Sequence, residues 1–192
     1  MCKWRCFLVQ EYVQGVEYVI DTVSLNGVHK CVALWEYDRR PTNGAGFVLH
    51  GQKLLTIDDP RTKEMMEYEF KVLTALNIKN GPGHGEVKWF NGEIILIEVG
   101  SRPHGMEGLW IPVCNEVYGR NQVNVALDAY TDAPKFEECP KYPDERKAYG
   151  AAKFLISHVS GTFHKYNEDS INEIKAISSF RSIGFFLKKG IV

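Results

Sequence analysis

No apolar run in this chain approaches the roughly 18 consecutive residues that a membrane-crossing helix needs. The opening MCKWRCFLVQEY has no signal-peptide core, so no membrane partner is expected. Neither charge sign dominates: 23 Lys and Arg stand against 24 Asp and Glu, for a formal net charge of −1. That balance argues against the basic footprint of a nucleic-acid binder. Cysteines are few, odd in number and scattered, five in all, at Cys2, Cys6, Cys31, Cys114 and Cys139. The pattern speaks against a disulfide framework and for reduced thiols in a cytoplasmic compartment. Several catalytic signatures are also missing. Asn43-Gly44-Ala45-Gly46 has neither phosphate-loop nor dinucleotide-loop spacing, and no G-x-S-x-G elbow is present. His84-Gly85-Glu86 matches half of a zinc-deaminase signature, but no P-C-x-x-C follows it. The six histidines never fall at H-x-x-x-H spacing, and there is no internal repeat or low-complexity stretch.

What remains is an ordinary packed-protein composition, 44% apolar over 192 residues, enough for one domain or one domain plus part of another. The first forty residues read as an antiparallel meander. Residues 6–13 make a first strand, residues 17–25 a second, Asn26-Gly27 a hairpin turn, and residues 28–37 a third. A chain that opens mid-strand suggests that a further segment precedes Met1. Residues 38–55, polar and glycine-rich, read as a long loop over a site or on the surface. Asp59-Pro60 caps a helix with Met65, Tyr68, Val72, Ala75 and Leu76 as its inner face. A second helix is expected over residues 115–130, with Val117, Val123, Ala126, Leu127 and Tyr130 inward. Residues 134–146 read as a loop, and residues 150–157 with 162–166 as a hairpin. Residues 170–177 form a short helix capped by Asp169 or Ser170, and the GFFLKKGIV end is strand-like.

The chemistry concentrates in HGEVKWFNGEIILIEVGSRPHG, His84 to Gly105, a hairpin around Asn91-Gly92. Glu86 and Glu98 sit one on each arm, and Arg102 follows four residues after the second acid. A two-residue Asn-Gly loop would set Glu98 among Val87, Trp89, Ile94 and Leu96, a poor place for a charge. A three-residue loop, Phe90-Asn91-Gly92, pairs Trp89 with Glu93. It gathers Val87, Trp89, Ile95, Ile97 and Val99 on one face and both acids on the other, and is the register expected here. Two carboxylates on one face suit Mg²⁺, which takes oxygen ligands and is usually held by one or two carboxylates plus substrate phosphates. An arginine beside them supplies a planar fork for a carboxylate or phosphate. An ordinary hairpin with a wet acidic face is the alternative.

Gln10-Glu11-Tyr12-Val13-Gln14-Gly15-Val16-Glu17-Tyr18, followed by Asp21, resembles the hinge strand and following turn of ATP-grasp enzymes. Glu86, Glu98 and Arg102 resemble that superfamily's magnesium-binding acids and the arginine near its acyl phosphate. The order of meander, loop, helix, Gly-Pro-x-His-x-Glu and Ile-Glu-x-x-x-Arg fits as well. The resemblance covers about residues 5–130 and is nearest to carboxylate–amine ligases of the carnosine synthase type. It implies an α+β fold, the C-terminal half of an ATP-grasp domain over residues 1–130, with part of a following small domain over 131–192. It implies ATP and Mg²⁺ (Mn²⁺ as a substitute), with small-molecule carboxylate and amine substrates; a homodimer is left open. By position, Gln10 would meet the adenine amino group, the backbone of Glu11 and Val13 the ring edge, and Glu17 the ribose hydroxyls. Glu86 and Glu98 would hold the metal, and Arg102 would act catalytically. The superfamily commonly has an Asn two residues after the second acid; here it is Gly100. Its phosphate-binding lysines and glycine-rich lid lie upstream of the hinge strand, and no such segment is present in this chain. An ATP-dependent ligase is therefore expected, present as an incomplete chain and inactive alone. A noncatalytic nucleotide-binding or interaction module is the alternative.

Overall fold

The computed structural model describes residues 9–143, 147–159 and 161–187. Its centre is a six-stranded antiparallel sheet in the order β5-β4-β1-β2-β3-β6, built from β1 (Val16–Leu25), β2 (Val28–Thr42), β3 (Ala45–Leu54), β4 (Gly81–Phe90), β5 (Glu93–Gly100) and β6 (Ala151–Lys153). Three Asn-Gly pairs make its tight turns. Asn26, Asn43 and Asn91 have φ of 53°, 53° and 52°, and the glycines after them 83°, 80° and 83°. Left-handed backbone at both turn positions matches the right-handed twist of the flanking strands, and Asn followed by Gly tolerates it best.

One expected loop is thereby corrected. Residues 38–55 are no loop: β2 runs on to Thr42, turns at Asn43-Gly44, and returns as β3. Polar composition concealed a hairpin whose outer half is exposed.

Helix α1 (Pro60–Ala75) covers one face of the sheet. Asp59 caps it by accepting from the Arg61 N–H, and Pro60 occupies the first turn, as the sequence predicts. Its buried side is Thr62, Met65, Met66, Glu69, Phe70 and Leu73, rotated from the expected stripe; Tyr68 and Val72 are only partly buried and Leu76 is exposed. Met65, Met66 and Phe70 pack on Tyr18, Ile20, Leu34 and Val87.

The opposite face carries α2 (Ile111–Tyr118), α3 (Gln122–Thr131) and α4 (Ala133–Glu138). The single helix expected over 115–130 is two. Gly119 adopts the left-handed stop at φ 72°, and the Asn121 side chain starts α3 by accepting from Val123 and Asn124 N–H groups. Val123, Leu127 and Tyr130 are exposed, while Val125, Ala126 and Ala129 face Val23 and Phe136. Residues 134–146 are likewise not all loop, since Asp132 caps α4 and Phe136 is fully buried. Trp110, Cys114 and Val117 pack on Val19, Trp35 and Leu54.

Among the described residues beyond β6 no second hairpin forms, and β6 pairs with β3 instead. Helix α5 (Glu168–Lys175) is capped by Asn167 rather than Asp169 or Ser170. Residues 184–187 are not in a strand; the rest of the expected terminal strand, like residues 6–8 of the first, lies outside the described residues.

Candidate active site

Strand β4 presents Lys88, Glu86 and His84 at alternate positions, hence on one face, the face also covered by α2 and α3. Opposite them in β1 stand Glu17, Val19 and Asp21, and opposite them in β5 stand Ile95, Glu98 and Gly100. Three layers of the site follow from this register.

The middle layer is the pair of acids. Glu86 lies directly across from Glu98, so the two carboxylates share a face as expected, but the route differs from the expected one. The turn is the two-residue Asn91-Gly92 loop with Phe90 across from Glu93 and Trp89 across from Ile94, and a bulge after Leu96 shifts the ladder by one residue. The extra residue, Ile97, restores Glu98 to Glu86. The hydrophobic face is corrected accordingly: Val87, Trp89, Ile94 and Leu96 pack towards α1, and Ile95 pairs with Lys88 on the site face. Turn chemistry and the avoidance of a charge among apolar side chains are both satisfied, each by its own device.

The donor set fits a hard divalent cation: two oxygen ligands on adjacent strands, with Glu98 exposed enough to leave room for phosphate and water. Arg102 Nη2 is 3.7 Å from Glu98 Oε1, and its Nη1 donates to the Pro103 carbonyl. A Cβ at Gly100 would lie 3.3 Å from the Arg102 stem, so the missing side chain leaves that arginine room to fold back.

The outer layer is a cavity of about 580 Å³ that brings together Gln10, Glu11, Val13 and Glu17, all the residues expected at the nucleotide. Ile95, Leu96 and Ile97 line it on the β5 side, and Tyr12, Phe47, Arg39 and Lys88 complete it. Residues 9–14 are not the strand expected; they form a strap outside the sheet ladder. Lys88 Nζ donates to the Val13 carbonyl at 2.8 Å, and Tyr12 packs on Phe47 with ring centroids 5.3 Å apart. Outside the ladder the strap's backbone groups are not taken up by strand pairing among the described residues, although Lys88 holds the Val13 carbonyl, and this suits a heterocycle edge. Glu17 is buried and accepts from Arg39 Nε at 2.7 Å. Burial raises its carboxyl above the ordinary range, against the pull of Arg39.

The inner layer was not singled out from the sequence. Asp21, fully buried, accepts from Trp35 Nε1 and stands 2.8 Å from both His84 Nδ1 and His104 Nδ1. Burial would raise Asp21, but His104 and His84 hold it down at about 2. Burial would lower His84, but its bonds to Asp21 and Glu86 bring it up to about 9. Glu86 in turn is held below the usual carboxylate range, chiefly by the His84 contact at 3.3 Å. The available signal was the period-two spacing of His84 and Glu86, which makes them neighbours on one face of a strand. Asp21 and His104 come from other elements, and no local pattern links them.

No protein-family model matches the chain. Among curated proteins it is similar to the dapdiamide A synthase of Enterobacter agglomerans, 28% identical over an alignment of 180 residues that covers 91% of this chain and 41% of the synthase. Among solved structures, an L-amino acid ligase from Bacillus licheniformis matches 93% of this chain and 44% of its own, with a TM-score of 0.76 at 22% identity. A phosphoribosylglycinamide synthetase from Anaerococcus prevotii matches 94% of this chain and 44% of its own, with a TM-score of 0.65 at 16% identity. The chain thus spans less than half the length of these relatives. It shares its fold, α+β with an antiparallel sheet, with part of each of these two solved structures. No helix among the described residues is long and apolar enough to cross a membrane.

Proposed function

We propose that this chain is the part of an ATP-dependent carboxylate–amine ligase that seats the nucleotide, the metal and the acyl-phosphate stage of amide-bond formation. The observation that carries the reading is the pairing of Glu86 with Glu98 beside Arg102, one register step from the cavity of Gln10, Glu11, Val13 and Glu17. The relatives' names, a synthase and an amino acid ligase, agree with it.

The strap offers Gln10 to the adenine amino group and the backbone of Glu11 and Val13 to the ring edge, with Ile95 and Ile97 supplying apolar contact. Glu17, steadied by Arg39, accepts from ribose hydroxyls. Glu86 and Glu98 would hold Mg²⁺ or Mn²⁺; bound there, the ion offsets phosphate charge and polarises a phosphoryl oxygen. Arg102, at the open end of β5, presents its fork where negative charge builds on the activated carboxyl and on the adduct formed by the amine. A small-molecule carboxylate and a small-molecule amine are the substrates of this reading.

Separate variants distinguish these roles. In the complete polypeptide carrying this segment, Arg102→Ala should lower kcat by on the order of 10²–10³ while ATP affinity stays within a few-fold. Lysine at 102 should rescue poorly, because a point charge does not reproduce a planar fork. Glu98→Ala should damage both kcat and nucleotide affinity, since the metal bridges the two. Loss of ATP binding in Arg102→Ala with turnover preserved at saturating nucleotide would make Arg102 a phosphate anchor and overturn its assignment.

A further inference from the structure

Asp21 is a carboxyl group sealed inside the protein, and a charge there costs several kcal/mol unless it is fully paired. Its face-sharing neighbours along β1, Val19 and Val23, are both fully buried valines, so the carboxyl group stands in an otherwise apolar row. What Asp21 does instead is hold two imidazoles, and each leads outward to a different half of the site. His84 stands 2.8 Å from Oδ1 through Nδ1 and turns Nε2 towards Glu86 Oε1 at 3.3 Å. His104 stands 2.8 Å from Oδ2 through Nδ1 and lies two residues after Arg102.

The backbone around His104 is pinned as well. Its N–H donates to Gln122 Oε1 at 2.8 Å, and its carbonyl accepts from Trp110 Nε1 at 3.1 Å. Gln122 in turn donates to the carbonyls of Thr22 and Gly83, tying α3 to β1 and β4. Asp21, His84 and His104 offer ligand atoms within 4.8 Å of one another, as a metal site does. Here each imidazole Nδ1 is already spent on an Asp21 oxygen, and the carboxylate is further occupied by Trp35 Nε1. The arrangement is a closed hydrogen-bonded scaffold.

We propose that Asp21 is a positioning residue shared by both halves of the site: through His84 it orients the metal ligand Glu86, and through His104 it anchors the segment that carries Arg102. The inference rests on reading Glu86 as a metal ligand. Partners that orient a ligating carboxylate typically contribute 10–100-fold in metal affinity.

Two readouts on the 192-residue chain separate the arms: Mn²⁺ affinity by electron paramagnetic resonance, and amide hydrogen exchange across residues 102–108. His84→Asn keeps an amide at the Nδ1 position but cannot reach Glu86. It should weaken Mn²⁺ binding by about tenfold or more and leave exchange at 102–108 unchanged. His104→Leu should do the reverse, speeding exchange there while Mn²⁺ affinity stays within about threefold. His104→Asn, which restores the Asp21 contact, should recover most of the protection. The near-isosteric Asp21→Asn should move both readouts. Exchange in β1 and β2 serves as the control for the fold. Uniform loss of protection throughout the sheet, with Mn²⁺ binding changed alike in His84→Asn and His104→Leu, would reduce the network to a core contact and overturn the proposal. Unchanged Mn²⁺ affinity in His84→Asn, with Glu86→Gln abolishing binding, would overturn the His84 arm while leaving the metal reading intact. Failure of Glu86→Gln to weaken Mn²⁺ would instead overturn the metal reading, and this proposal with it.

Discussion

Glu69 reaches from α1 to the underside of the sheet, where both carboxyl oxygens are buried without a hydrogen-bond partner among the described residues. It lies against Gly85, where a Cβ would meet the carboxyl at 2.2–2.4 Å, so a side chain there would have to displace the Glu69 carboxyl. Burial raises Glu69 to about 7, with the attraction of His84 working against it. The folded chain keeps a proton that the unfolded chain releases above about 4.5, so this residue's effect on stability worsens as pH rises from about 4.5 to 7. Glu69→Met removes two unpaired polar atoms and the titration together. It should stabilise the chain by on the order of 1–3 kcal/mol at pH 8 and by clearly less at pH 5. Urea unfolding at both pH values checks this, and an equal gap at the two would show that Glu69 does not titrate between them.

The β4–β5 hairpin obeys two rules at once. Asn91-Gly92 demands a two-residue turn, and the Leu96-Ile97-Glu98 run then demands a bulge to keep Glu98 out of the α1 interface. Turn and bulge are separable, because the first lies at the exposed tip and the second next to Glu86. Gly92→Val places a β-branched side chain at φ 83° and should cost about 1–2 kcal/mol of stability. Mn²⁺ affinity should change little, since the Glu86–Glu98 pairing is set by the bulge. Denaturant titration alongside metal titration measures both, and a parallel loss of metal binding would show that the turn governs the acids after all.

At the scale of the molecule, the cations near the site are largely engaged. Arg39 is paired with Glu17, Lys88 holds the Val13 carbonyl, and Arg102 lies near Glu98. A triphosphate needs more positive charge than these and one Mg²⁺ supply. The 192-residue chain by itself should therefore bind ATP weakly and release no ADP with any pair of amino acids, measured by calorimetry and a coupled ADP assay. Turnover by the isolated chain would show that the phosphate-binding groups are already present in it.

Local rules acted where side chains meet neighbours in sequence. The Asn26-Gly27 turn, the Asp59-Pro60 helix start, the two acids with Arg102 at their spacing, and the polar run of Gln10 to Glu17 all stand in the chain as short patterns, though the first part of that run reads as a strand and forms a strap outside the sheet. For each, the cause spans a few residues: a left-handed turn, a cap, a strand period. The extra residue of the β5 bulge could not be placed from the strand period alone. That period admits either register, and packing of Leu96 against α1 selects one. The rotated inner face of α1 and the helix break at Gly119 were decided by what each surface packs against. The network of Asp21, His84 and His104 required β1, β4 and the segment after β5 to converge, bringing residues 63 and 83 positions apart within 2.8 Å. Hydrogen bonding at that distance acts between whole elements, and only the closed sheet with α2 and α3 packed on it puts those side chains in reach.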